Sequence, residues 1–71
     1  MASPVSLLDV VALLVDAPEH GLVRGQVGTV VESFEGVSEV EFSDESGTAY
    51  AEAPFANDVL LVLHHRPIRA A

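Results

Sequence analysis

Two glycines three residues apart interrupt a valine-rich run, Leu22-Val23-Arg24-Gly25-Gln26-Val27-Gly28-Thr29-Val30-Val31. The β-branched residues favour an extended chain, and the glycines say where it must bend. Val23-Arg24-Gly25-Gln26 suits a type II turn, whose third position needs the positive φ that glycine adopts without strain. A strand then runs from Gln26 to Phe34. Gly28 within it marks a bulge or a close approach of a crossing strand, where a Cβ would collide. The run therefore describes a tight turn feeding a strongly bent strand.

The flanking sequence continues in short extended pieces. Ser6-Leu7-Leu8-Asp9 has the spacing of a one-turn capping box, so a short helical turn is expected at Ser6–Leu8. Leu7, Leu8, Val11, Leu14 and Val15 also fit a helical stripe. The β-branched residues and the stop at Asp16-Ala17-Pro18 favour a buried strand over Val10–Val15 instead. Asp16–Gly21 is dense in turn formers and reads as an exposed loop.

Glu35-Gly36 is the next turn. Over Ser38–Ser43, Val40 and Phe42 alternate with Glu39 and Glu41, the clearest half-buried strand in the chain. Asp44-Glu45-Ser46-Gly47 closes a hairpin, with Gly47 free to take a left-handed conformation. Thr48–Ala53 returns as a strand, and Pro54–Asp58 reads as a 3-10-like connection. Val59–His64 forms the last strand, with Leu61 and Leu63 on one side and Leu60 and Val62 on the other. Five short strands with a single-turn helix before the last make an all-β meander, the plan of a small SH3-like barrel.

At 71 residues, the chain makes one small domain with a thin stability margin. Residues 6–65 are expected to form it, residues 1–5 to be a flexible terminus and residues 66–71 a tail. With no cysteine there are no disulfides or thiolate metal sites to staple it. Small domains of this kind often gain stability by oligomerising or docking on a partner.

The chain has 12 Val, 8 Leu and a mean hydropathy of +0.38, yet carries a formal charge of −8, with eleven acids against three Arg and no Lys. That apolarity excludes ordinary disorder, and the acidity repels nucleic acid. Basic proteins, metal ions and neutral apolar surfaces remain as compatible partners. No stretch reaches the length of a membrane span. Val10–Val15 lacks the basic leader and cleavage pattern of a signal peptide, so a cytoplasmic location is expected.

Catalytic patterns are weak. No cysteine nucleophile or nucleophile-elbow serine occurs, and the Gly25–Gly28 pair precedes no helix, so it is no phosphate loop. His64 and His65 point to opposite faces of a strand and cannot easily share a metal, and the spacing of a calcium loop is missing. No cofactor is expected.

The glycine run resembles the first strand of KOW-type SH3-like modules, many of which bind RNA or ribosomal proteins. A nucleic-acid reader needs a basic footprint, and only Arg24 lies near the run. Between Arg24 and Arg66 stand eight acids and no base: Glu32, Glu35, Glu39, Glu41, Asp44, Glu45, Glu52 and Asp58. They form either a solvating surface or a patch that steers a basic partner. The candidate partner surface is Glu39, Glu41, Asp44 and Glu45. Tyr50 suits either the core or a peptide-holding flank and is included with them. Phe34 and Phe42 read as core. Gly25, Gly28 and Gly47 are structural.

Leu7-Leu8-Asp9-Val10-Val11-Ala12-Leu13-Leu14, Pro18-Glu19-His20-Gly21-Leu22 and Gly25-Gln26-Val27-Gly28-Thr29-Val30-Val31 together resemble a group of small bacterial single-domain proteins classed as a domain of unknown function. The likeness continues through Glu39-Val40-Glu41-Phe42, Gly47-Thr48 and Leu60–Leu63. It implies an SH3-like barrel with no assigned enzyme activity. Toxin-like or nuclease-like genes beside some members imply an antitoxin or immunity role.

Two functions from different classes follow. One is a non-enzymatic acidic module that neutralises a basic, toxin-like partner protein. The other is a structural barrel that self-associates into a homo-oligomer or ring, motivated by apolar residues in excess of one tiny core.

Overall fold

A computed structural model describes residues 5–68 of the chain. Strand β1 (Val10–Leu13) leads through a 3-10 turn at Pro18–His20 to β2 (Val27–Phe34), β3 (Val37–Ser43) and β4 (Ala49–Ala56); a second 3-10 turn, Asn57–Val59, precedes β5 (Leu60–Val62). The strands form one open antiparallel sheet in the order β4-β3-β2-β1-β5. The all-β, five-stranded plan read from the sequence is the observed one, with its 3-10 turn before the last strand.

The turn into β2 forms as its residues dictate. Gly25 has φ +93°, and the Gln26 N–H donates to the Val23 carbonyl at 3.2 Å. Gly28 then pairs with Val11 on one side and Phe42 on the other. A Cβ at Gly28 would stand 2.6 Å from Val40 Cγ1, 2.8 Å from the Glu41 carbonyl oxygen and 2.9 Å from Phe42 Cδ2. Close approach is therefore the reason for this glycine.

The bulge in β2 lies three residues further on. Pairing passes from Val30–Val40 to Glu32–Glu39 and leaves Val31 over. A strand alternates faces at every residue, so one extra residue exchanges the faces beyond it. Strict alternation from Gly28 would carry Glu32 and Phe34 inward. Instead Glu32 faces outward and Phe34 is 56% exposed, which corrects the expectation that Phe34 is core.

The inner face packs Val11 and Leu13 of β1, Val30 of β2, Val40 and Phe42 of β3, Ala53 and Phe55 of β4 and Leu60 of β5. Phe55 meets the edges of both Phe42 and His20 in T-shaped contacts, with ring centres 6.0 and 5.9 Å apart. Ala17 and Leu22 pair across the Asp16–Gly21 loop and are themselves buried. Val5 packs on the core as well, so the domain reaches past its expected start at residue 6; residues 1–4 and 69–71 lie outside the described part.

Ser38 is the one buried polar residue of this core among the described residues. Its hydroxyl donates to Asn57 Oδ1 at 2.7 Å, while the Asn57 N–H donates to the Gly36 carbonyl at 3.0 Å. Asn57 thus joins the β2–β3 hairpin to the β4–β5 connection, as buried polar groups require partners.

Other boundaries moved. β4 runs on to Ala56 instead of stopping at Ala53. Pro54 is tolerated inside it because β4 is an edge strand, whose outer side needs no N–H. The last strand is Leu60–Val62 instead of Val59–His64: the 3-10 turn takes Val59, and Leu63 and His64 lie past its end. Ser6–Asp9 is a reverse turn and not a turn of helix. Its Asp9 N–H donates to the Ser6 carbonyl and Asp9 Oδ2 accepts from the Ser6 N–H, but Leu8 sits at φ +70°.

Candidate functional site

The outer face of the sheet is chemically divided. On the β2-β3-β4 side, Glu32 stands directly opposite Glu39, and Glu41 directly opposite Glu52. None of these three strands carries a Lys, Arg or His. Like charges paired directly across strands weaken an antiparallel sheet, so the arrangement is tolerated against the preference of the fold. The crowding shows in Glu52, whose carboxyl is held above its ordinary range by a shared hydrogen bond with Glu39, then by desolvation and by repulsion from the Glu39 charge.

On the β5-β1-β2 side the face is apolar. Leu61, Ala12 and Val27 form one cross-strand row, with Leu61 50% and Val27 46% exposed. Val10 and Leu63 make the next pair, joined by a 2.8 Å bond from the Leu63 N–H to the Val10 carbonyl. A negatively charged half thus borders an apolar half across β2.

Of the expected partner residues, the structure brings Glu39 and Glu41 together on the acidic half. It adds Glu32 and Glu52, which sequence reading counted among the acids but did not place in the site. Glu32 needed the bulge at Val31, and Glu52 needed the β3–β4 register. The signal within reach was the alternation of Ala49, Ala51 and Ala53 with Tyr50, Glu52 and Pro54.

Asp44 and Glu45 sit in the exposed β3–β4 hairpin loop. Asp44 has work of its own there: Oδ1 accepts the Ser46 N–H and hydroxyl at 2.9 and 2.7 Å and the Thr48 N–H at 3.0 Å. These bonds hold its carboxyl below the usual range, the Ser46 side-chain bond contributing most. Gly47, at φ +86°, completes the loop and donates to the Asp44 carbonyl at 3.0 Å.

Tyr50 is the extra residue where β3–β4 pairing shifts from Phe42–Ala51 to Ser43–Ala49. It is half exposed, and its hydroxyl accepts from Gln26 Nε2 at 2.9 Å. Gln26 Oε1 in turn accepts the Val23 N–H. Tyr50 therefore braces the Gly25 turn against the start of β4.

Among the described residues, no three or more His, Asp or Glu are arranged to hold a metal ion, and no helix is long and apolar enough to cross a membrane. The model of a protein family described as a domain of unknown function (DUF4926) matches residues 7–62. No curated protein and no solved structure matches the chain.

Proposed function

We propose that this chain, which belongs to that family of domains of unknown function, is a non-enzymatic protein-binding module whose acidic outer face docks a basic partner protein. The observation that carries the reading is the pairing of Glu32 with Glu39 and Glu41 with Glu52 on strands with no cation of their own. A cationic surface laid over these four carboxylates would relieve the repulsion that the isolated sheet bears. It would also be steered onto them by a long-range field, raising the association rate at low salt.

The same field disfavours a nucleic-acid ligand. The meander supporting the face is, on this reading, an open SH3-like barrel in a bacterial, cytoplasmic protein. A basic toxin-like partner would make it an antitoxin or immunity protein.

The test is a binding titration with the protein captured from the source cell's own extract. Glu39→Lys with Glu41→Lys should weaken binding by about tenfold or more, with an unchanged circular dichroism spectrum. Added salt should slow association of the native chain. Unaltered affinity in the folded double variant would refute the acidic-face reading.

A further inference from the structure

The two edges of the sheet are protected unequally. β4 carries Pro54 and Glu52, the kind of residues that blunt an edge against pairing with another chain. β5 and its continuation, Leu60-Leu61-Val62-Leu63, carry neither proline nor charge.

Hydrogen bonds from the Leu63 N–H to the Val10 carbonyl and from the Leu14 N–H to the Val59 carbonyl bracket the Ala12–Leu61 pair. Antiparallel ladders alternate bonded and non-bonded pairs. Leu60, Val62 and His64 therefore direct their main-chain groups away from β1. The Leu60 N–H is already bonded to the Asn57 carbonyl. Among the described residues, the outward groups left on this edge are the Leu60 carbonyl and both groups of Val62 and of His64.

We infer that this edge pairs with the same edge of a second copy, antiparallel, about a two-fold axis at Val62. In that register the two Val62 residues exchange both bonds, and each Leu60 carbonyl accepts the N–H of the partner's His64. Four main-chain bonds form and only the His64 carbonyl is left over. A two-fold interface must be self-complementary, and the charges are. Antiparallel pairing brings the end of the edge that carries Asp58, in the 3-10 turn, to the end of the partner's edge that carries Arg66, just past the strand. Both residues are exposed. On the outer face Leu61 meets the partner's Leu63. The apolar row from Val27 through Ala12 to Leu61 then continues into the second copy and covers Leu61. The acidic half of the face stays open, so this inference goes beyond the partner-binding reading and does not depend on it.

Sedimentation velocity of the full chain from about 10 µM to about 1 mM should show a transition to twice the 7.5 kDa mass of one chain. Val62→Pro, which removes an outward N–H, should abolish the dimer. Asp58→Arg or Arg66→Asp alone should raise its dissociation constant about tenfold by setting like charges together, and combining the two should restore it to within about twofold. The exposed charge variants keep the test valid if Val62→Pro does not fold. A monomer throughout the range would overturn the inference. So would a dimer whose affinity the single charge reversals leave unchanged or the double exchange fails to restore. None of these variants touches the four glutamates, so failure here leaves the acidic-face reading standing.

Discussion

Gly28 and Phe42 are directly paired across β2 and β3, and the Phe42 ring occupies space that a side chain at position 28 would need. One of the atoms crowding that space, the Glu41 carbonyl, is backbone and cannot swing aside. Gly28→Ala should therefore destabilise the domain by about 1–3 kcal/mol through overpacking. In a domain this small that lowers the melting temperature by roughly 5–20 °C. Gly28→Val should abolish folding, and a native-like melt for that variant would disprove the close crossing.

Asn57→Ala should remove the Asn57 Oδ1 acceptor of the buried Ser38 hydroxyl. The cost expected for an unsatisfied buried polar group is about 1–3 kcal/mol. Adding Ser38→Ala should give less than the sum of the two single losses, because both delete one interaction. Strictly additive urea midpoints would show that the pair is not coupled.

Glu52 and Asp44 give opposite pH dependences. The Glu52 carboxyl is raised in the folded chain, so its protonated form favours folding. That contribution is complete below the ordinary Glu range and is lost as pH rises through the raised folded value. Glu52→Gln should be more stable than the native chain at neutral pH, and the difference should close in acid. The Asp44 carboxyl is lowered, so its contribution is present above the ordinary Asp range and lost as pH falls through the lowered folded value. Asp44→Asn should be the less stable chain at neutral pH, with a gap that narrows in acid. Urea unfolding at stepped pH reads both signs.

Leu8 holds a left-handed backbone at φ +70° while its side chain is 72% exposed. The strain in such a residue is about 1–2 kcal/mol, and the extra freedom glycine gives the unfolded chain offsets about 0.4–1 kcal/mol. Leu8→Gly should therefore stabilise the domain by up to about 1.6 kcal/mol. Destabilisation by more than that would mean the leucine side chain packs against the fold after all.

What a residue and its immediate neighbours decide was legible in the chain. Gly25 and Gly47 mark turns because a left-handed φ is a local requirement. The alternation of Glu39 and Glu41 with Val40 and Phe42 separates the faces of β3 because side chains on a strand repeat every second residue. What depends on pairing between distant segments was decided only in the folded sheet. The β2–β3 register leaves Val31 over, and that single residue turns Phe34 from core to surface and sets Glu32 against Glu39. The β3–β4 register sets Glu52 against Glu41, and placement at an edge lets β4 run through Pro54. Local sequence specifies backbone angles and the alternation of faces. Which residues stand opposite one another follows from how the strands pack together, and the acidic face is a product of that packing.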